Sequence, residues 1–487
     1  MSQENKRIML AAPKSGSGKT MITCGLLQAL LLRGISCRSF KCGPDYIDPM
    51  FHKAVLGIDG GNLDTFFLNQ ESARELFLRE SKEAEISVIE GVMGYYDGMG
   101  GDSTWASSYE VACAVKTPVV LILDCRGASL SLAAVCKGFL EYRNDSRIEG
   151  VILNRISPVM AQRLTPQIEA LGIRVFGYLP QCDEADFSSR HLGLVLPGEV
   201  EGLKDKLIKL ACKMEETVDI DGLLQLSGTA PEISLESGNE EWKEPTTYGE
   251  KIPVGIAVDE AFCFYYQENR KMLEDMGAQL IPFSPLRDRH LPEGICGLIL
   301  GGGYPELYLK QLSENQNMLK EIREASDNQI PILAECGGFL YLHEELESQE
   351  HDVFLMAGII PGRAFPVGKL KRFGYIEAAA KEDMPFLKKG ESIRGHEFHY
   401  WDSTNNGEQM QARKPGRDVS WDCVLTRDNV MAGFPHFYYP SNPSLPKRFF
   451  RSLQTDYDTA EEEIMKEFTI VQGSSEDIEQ IAELYDG

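Results

Sequence analysis

Two stretches of the chain carry residue types whose spacing could do chemistry. In PILAECGGFLYL, Pro331 to Leu342, one cysteine, Cys336, follows a short apolar run and precedes two glycines. A strand, a sharp turn and a helix start would hold the sulfur clear of the backbone, with the helix dipole favouring thiolate over thiol. That is the logic of a nucleophile elbow. A thiolate needs a base, and His396 and His399 in GHEFHY and His436 in AGFPHFYY stand downstream as candidates. A developing oxyanion needs donors, and LILGGGYPE offers the backbone N–H groups of Gly301, Gly302 and Gly303 after an apolar run. A cysteine before Gly-Gly is by itself more often a buried structural residue, so the weight rests on these companions.

The second stretch is LAAPKSGSGKT near the N-terminus. Gly16, Ser17 and Gly18 allow the backbone to curl so that successive N–H groups point at phosphate oxygens at a helix N-terminus. Lys19 would reach the β- and γ-phosphates of ATP, and Thr20 offers a hydroxyl to Mg²⁺. The loop is a variant, because Pro13 stands where the first glycine of the usual pattern would be. Lys14 reads as a phosphate contact or as a solvated loop charge. A magnesium ion bridging phosphates also needs hard oxygen ligands. KCGPDYIDPMFH supplies Asp45 and Asp48 in a loop stiffened by Pro44 and Pro49, and VIEGVMGYYDG supplies Glu90 at a strand end and Asp97 beyond it. Asp45 and Glu90 read as metal ligands. Asp48 and Asp97 read equally well as turn or N-cap residues, a common use of Asp before Pro or Gly.

These groups need elements to position them. RIMLAA reads as a buried strand, TMITCGLLQALLLRG as the helix after the phosphate loop, and CRSFK, ISVIEGV, TPVVLILDC and IEGVILNRI as further strands between helical stretches. That alternation predicts a parallel sheet covered on both faces, an α/β domain of P-loop NTPase type over residues 1–215. Apolar periodicity fades between 216 and 250 into a Gly-, Ser-, Pro- and Glu-rich segment, which reads as a linker. Strands feeding loops resume from 251 to 453 as a second α/β domain, followed by an acidic tail over 454–487. The 487 residues are too many for one core. A net charge of -25 repels phosphate backbones and anionic headgroups, which argues against nucleic acid and membrane partners. The twelve cysteines show no zinc spacing, no signal peptide opens the chain, and the reading is of a cytoplasmic protein with reduced thiols.

With these motifs in place, the sequence resembles the cobyrinic acid a,c-diamide synthase family. APKSGSGKT, KCGPDYIDPMFH, EGVMGYYDG, SSRHLGLV, GGGYPE, AECGGFLYL and GHEFHY look like that family's blocks in that family's order. The resemblance implies an ATP domain similar to dethiobiotin synthetase joined to a class I, triad-type glutamine amidotransferase domain. It makes Cys336 the nucleophile that forms a γ-glutamyl thioester, with His436, a few residues before SNP, as its base and Gly302 and Gly303 as the oxyanion hole. Class I enzymes often carry a Glu two residues after that His; here the position is Tyr438, as the cobyrinate branch lacks the Glu. In the ATP domain the resemblance places Thr20, Asp45 and Glu90 at Mg²⁺, and Tyr46, Asp48 and Asp97 at the corrinoid.

The implied reaction amidates the a- and c-carboxylates of cobyrinic acid with ATP and either glutamine or ammonia, through acyl phosphates. Ammonia must then travel shielded from water between the halves. The same amidation of nickel sirohydrochlorin or hydrogenobyrinic acid is the nearest rival. An ATP-gated partitioning ATPase is the rival from another class, though it has no use for Cys336, Gly302 and His436. A homo-oligomer is compatible with either reading. FGYLPQCDEADFSSRHLGL, long and polar, reads as a lid or substrate loop in which His191 contacts substrate or packs.

Overall fold

The computed structural model describes residues 5–181, 197–235 and 251–454, with side chains in helix Pro197–Thr217 described from Gly202 onward. The chain clusters into two compact units, the second entered after residue 243, with residues 266–268 clustering with the first.

In the first unit the apolar runs form seven strands: β1 (Lys6–Ala11), β2 (Cys37–Cys42), β3 (Gly60–Leu63), β4 (Ile86–Glu90), β5 (Val119–Asp124), β6 (Ile148–Asn154) and β7 (Arg174–Leu179). They make one sheet in the order β3-β2-β4-β1-β5-β6-β7, every pairing parallel. The order reverses beside β1, the switch point at which open α/β sheets leave a crevice at their C-terminal edge. The phosphate loop follows β1 and the Asp45 loop follows β2, while Glu90 ends β4, so all three candidate groups meet at that edge. Helix α1 (Lys19–Leu32) buries Ile22, Leu26, Leu27 and Leu30 against Ile8, Leu10, Val120 and Ile152.

The boundary expected at 215 is a correction. Helix Pro197–Thr217 is followed by helix Ile220–Ser227, whose N-cap Asp219 accepts from Gly222 N at 2.8 Å. Val218, Ile220 and Leu223 join the same core as α1. The polar composition that suggested a linker over 216–250 begins only after this capped amphipathic turn. Residues 236–250 and 455–487, which hold the rest of that segment and nearly all of the acidic tail, lie outside the described residues.

The second unit is built on a six-stranded sheet. β8 (Ile252–Ala257), β9 (Ala278–Phe283), β10 (Leu298–Leu300) and β11 (Ile332–Glu335) run parallel in the order β9-β8-β10-β11. Strand Val430–Gly433 continues the sheet in parallel beside β11, and Leu425–Arg427 closes it antiparallel. Four-stranded and five-stranded sheets complete the unit, the latter pairing strand Ser392–His399 with the two-residue strand His436–Phe437. Among the described residues no disulfide is formed and no helix is long and apolar enough to cross a membrane.

Arg7 is an unexpected member of β1, because a charged side chain only 1 % exposed stands in a strand of apolar residues. Its guanidinium donates to the carbonyls of Val115 at 2.7 Å, Asn5 at 2.8 Å and Pro231, tying the residues after helix Ile220–Ser227 to the first strand. Buried carbonyls that lose such a donor cost about 1–3 kcal/mol each. Arg7→Ala is therefore expected to destabilise the first unit by about 3 kcal/mol, read as a lower denaturation midpoint. A midpoint equal to that of wild type would refute the anchoring role.

Candidate functional site

The first cluster is built by the register of β4. Glu90 stands opposite Leu10 of β1 on one side and Lys41 of β2 on the other. It is fully buried, and its Oε1 accepts from Thr20 Oγ1 and from Lys41 Nζ, both at 2.6 Å. Lys41 Nζ also pairs with Asp48 and lies 3.9 Å from Asp45 Oδ2. Asp48 sits in the first turn of α2 (Ile47–Phe51), so the loop expected around it is a short helix that admits Pro49 near its start. Asp45 Oδ1 accepts from Ile47 N at 2.8 Å, and Asn62 Nδ2 donates to the carbonyls of Gly43 and Asp45, each at 2.8 Å. Tyr46 occupies the position before α2.

Electrostatics follow from this crowding. Burial pushes Glu90 up to about 7 against the pull of Lys41, and burial with the charge of Asp48 pushes Asp45 up to about 6. Asp48 is buried as well, but Lys41 outweighs that and holds its carboxyl below the usual range. Lys41 in turn is held charged by the three carboxylates, despite its burial.

The phosphate loop carries left-handed backbone at Gly16 and Gly18, with φ of 75° and 94°. A Cβ on Gly18 would lie 2.3 Å from Asn154 Nδ2, so only glycine fits. Asn154 Nδ2 donates to Ser17 O at 2.8 Å and Arg155 donates to Gly16 O at 2.8 Å, which fixes the loop from the end of β6. Lys19 heads α1 and donates to Met93 O at 2.6 Å; burial and the charge of Lys41 lower it to about 8. Asp97 accepts from Gly94 N at 2.9 Å, closing the turn that lies against Pro13. His191 and most of the lid segment lie outside the described residues.

Whether this set fits Mg²⁺ is decided by its donors. Glu90 Oε2 is buried with no hydrogen-bond partner among the described residues, beside the Thr20 hydroxyl that shares Oε1. One carboxylate, one hydroxyl, phosphate oxygens and water make a usual magnesium shell, so the residues fit. Among the described residues no group of three or more His, Cys, Asp and Glu side chains is arranged to hold a metal unaided. Asp45 and Asp48 gather on Lys41 instead.

The second cluster lies in the other unit. Cys336 follows β11 and precedes helix Gly337–Tyr341, with φ 46° and ψ -97°, a strained conformation for a residue other than glycine. A Cβ on Gly337 would lie 3.0 Å from Gly303 N, and one on Gly302 would lie 2.2 Å from His436 Cε1. The residue after the cysteine and the imidazole of His436 therefore both pack on Gly302. Gly301 is engaged otherwise: its N–H donates to the Tyr265 hydroxyl at 2.8 Å. His399 stacks on Phe434 at 3.9 Å between centroids and donates through Nδ1 to Trp401 O at 2.6 Å. His396 is the cross-strand neighbour of His436.

One expectation fails here. Burial, with the charges of Glu306, Glu397 and Glu335, pushes the Cys336 thiol well above its usual range, against the dipole of a helix only five residues long. Burial, with His396 and His399, lowers His436 to about 3. Both shifts favour the uncharged forms, a thiol at Cys336 and a neutral imidazole at His436.

Lys41 and Glu335 were not singled out from the sequence. A lysine late in the buried run CRSFKC was the available signal for Lys41. The Glu before Cys336 had none, since a strand-end carboxylate is ordinary.

The geometry thus gives one unit a phosphate loop with hard oxygen donors and the other a cysteine elbow with a histidine, which is the division of labour of an ATP-dependent glutamine amidotransferase. Family comparisons divide the chain at the same place. Residues 8–195 match the CobQ/CobB/MinD/ParA nucleotide binding domain, and residues 253–443 match the CobB/CobQ-like glutamine amidotransferase domain. The cobyrinate a,c-diamide synthase of Caldanaerobacter subterraneus subsp. tengcongensis is 40% identical over 91% of this chain and 97% of its own length. Those of Salmonella typhimurium and Listeria innocua are each 38% identical over 91% of this chain, and over 97% and 98% of their own. The chain belongs to the cobyrinate a,c-diamide synthase family.

The lowered His436 gives a pH test. Below the ordinary pKa of 6.5 the unfolded chain binds a proton there that the folded chain refuses down to about 3. Stability present above pH 6.5 is therefore lost as pH falls, by about 2 kcal/mol for this group at pH 5. His436→Gln removes that loss, so its denaturation midpoint should drop less than that of wild type between pH 7 and pH 5. Parallel curves would show that the imidazole is not held neutral.

Proposed function

We propose that this chain amidates the a- and c-carboxylates of cobyrinic acid, using ATP and taking nitrogen from glutamine or from free ammonia. The observation that carries the proposal is the end-to-end likeness to synthases of that name, together with a separate candidate centre in each unit. A carboxylate oxygen cannot leave as such. Transfer of the γ-phosphoryl group of ATP to that oxygen gives an acyl phosphate and ADP; ammonia then adds at the acyl carbon and phosphate departs.

The backbone of residues 16–20 binds the phosphates at the N-terminus of α1, and Lys19 turns from Met93 O to the β- and γ-phosphate oxygens. Thr20 and Glu90, with Asp45 nearby, would hold Mg²⁺, whose charge neutralises the transferring phosphoryl group when bound. Lys41 favours the ionised forms of Glu90 and Asp48 and orients both in this buried corner. Tyr46 and Asp48, at the start of α2, and Asp97, in the turn after β4, stand on segments that would meet the tetrapyrrole.

In the second unit Cys336 Sγ adds to the amide carbon of glutamine while its proton passes to His436. Both groups rest uncharged, so the proton moves in step with the attack. The backbone N–H groups of Gly302 and Gly303 receive the developing oxyanion. His436 returns the proton to the departing ammonia, and then takes one from the water that hydrolyses the thioester.

The test is an assay on purified protein with cobyrinic acid, ATP, Mg²⁺ and either glutamine or ammonia, followed by product mass. Wild type should add two amides with either nitrogen source. Cys336→Ala should work only with ammonia, and Lys19→Ala should lose about 100-fold or more with both. Glutaminase activity without amidated cobyrinate would retain the amidotransferase and reject the substrate, directing the assay to nickel sirohydrochlorin and hydrogenobyrinic acid.

A further inference from the structure

Glu335 has no part in the chemistry above, yet its carboxyl lies one residue before the nucleophile. Cys336 belongs to the core cluster of Ala334 and Phe339, whereas Glu335 lines a different space with Leu333, Met431, Phe437 and Tyr439. That space is a cavity of about 10 Å³, room for roughly one water and for no substrate. The carboxyl therefore serves the protein itself. Its Oε1 accepts from Phe437 N at 3.3 Å, and the Tyr439 hydroxyl hydrogen-bonds the same group.

Phe437 directly follows His436, and the segment is held from another side as well. Buried Asn269 donates through Nδ2 to Phe437 O at 2.7 Å and accepts at Oδ1 from Tyr439 N at 2.8 Å. Tyr438 N donates to Arg394 O at 2.9 Å. The backbone groups that follow the imidazole are thus clamped by two side chains, the buried Asn269 and the half-buried Glu335. Strand His436–Phe437, only two residues long, has little ladder of its own to fix it.

Taking His436 as the base, we propose that Glu335 and Asn269 are its positioning residues. They set the imidazole against Gly302 through the backbone of residues 437–439, while the second position after the histidine carries Tyr438 and no carboxylate. Neither residue touches substrate. Their removal should slow the chemistry at Cys336 and leave glutamine binding and the ATP-dependent half-reaction intact.

The experiment measures glutamine-dependent and ammonia-dependent amidation by the full chain for Glu335→Leu, Glu335→Gln and Asn269→Ser. Leucine keeps the volume and removes the acceptor; glutamine keeps the acceptor. Glu335→Leu should lower kcat with glutamine about 10- to 100-fold, with KM for glutamine and ammonia-dependent turnover within about 2-fold of wild type. Glu335→Gln should restore most of kcat. Asn269→Ser, which loses reach to both backbone groups, should give the same split and serves if the leucine variant does not fold. Equal kcat for the leucine and glutamine variants overturns the proposal, as does a loss shared by the ammonia reaction. Cys336→Ala in the same series separates the two readings: if it still uses glutamine, the catalytic assignment itself fails, whatever Glu335 does.

Discussion

The buried pairing of Lys41 with Glu90 is the interaction on which the ATP-binding unit depends. Removing a carboxylate from water costs several kcal/mol unless a partner and hydrogen bonds compensate, and Glu90 is fully buried at the end of a central strand. Lys41 supplies that partner from the neighbouring strand, and the register of β2 on β4 leaves no other lysine able to do so from that position. Once Glu90 is ionised it can accept from Thr20, which draws the first turn of α1 onto β4 and sets the phosphate loop. Asp48 shares the same ammonium, so the loop after β2 is fastened to the same point. Three segments distant in sequence are aligned by one cation.

The second unit follows the opposite logic. Burial disfavours charge on Cys336 and His436, the groups proposed to react, and what positions them is backbone: a strained turn at Cys336, close-packed glycines at 302 and 303, and a two-residue strand carrying His436. The strain is tolerable because Cys336 N donates to Gly433 O at 2.8 Å and Leu340 N to Cys336 O at 2.9 Å, so the turn is bonded on both sides. A resting thiol with a neutral imidazole is also the less reactive form, since the thiolate is the nucleophile.

Much of this was legible in the sequence, and for physical reasons. Parallel strands buried on both faces must be apolar runs, so β1, β2, β4, β5 and β6 announce themselves, and a phosphate loop must follow one of them. Glycines under positive φ or close approach cannot be anything else, which is why Gly16 and Gly18 stand out. What stayed hidden depends on register and on contacts between distant segments. Lys41 takes its meaning from lying opposite Glu90, Glu335 from facing the backbone of Phe437, and Arg7 from the carbonyls of Val115 and Pro231, each more than a hundred residues away. Helix Ile220–Ser227 was missed because eight residues between polar segments read as linker until their apolar face meets a core.

The contrast between the units also explains why one chain carries two chemistries on similar sheets. Phosphoryl transfer moves little besides charge, so a site for it is best built from charges fixed in advance, and the sheet edge where Lys41, Glu90, Asp45 and Asp48 crowd together fits that proposed role. In the proposed thioester step a proton leaves the Cys336 thiol for His436, and burial, which disfavours both thiolate and imidazolium, keeps both groups uncharged at rest. Fixed charge steers uncharged groups little, so the orientation of the buried Cys336 and His436 falls to hydrogen bonds made by the main chain around them.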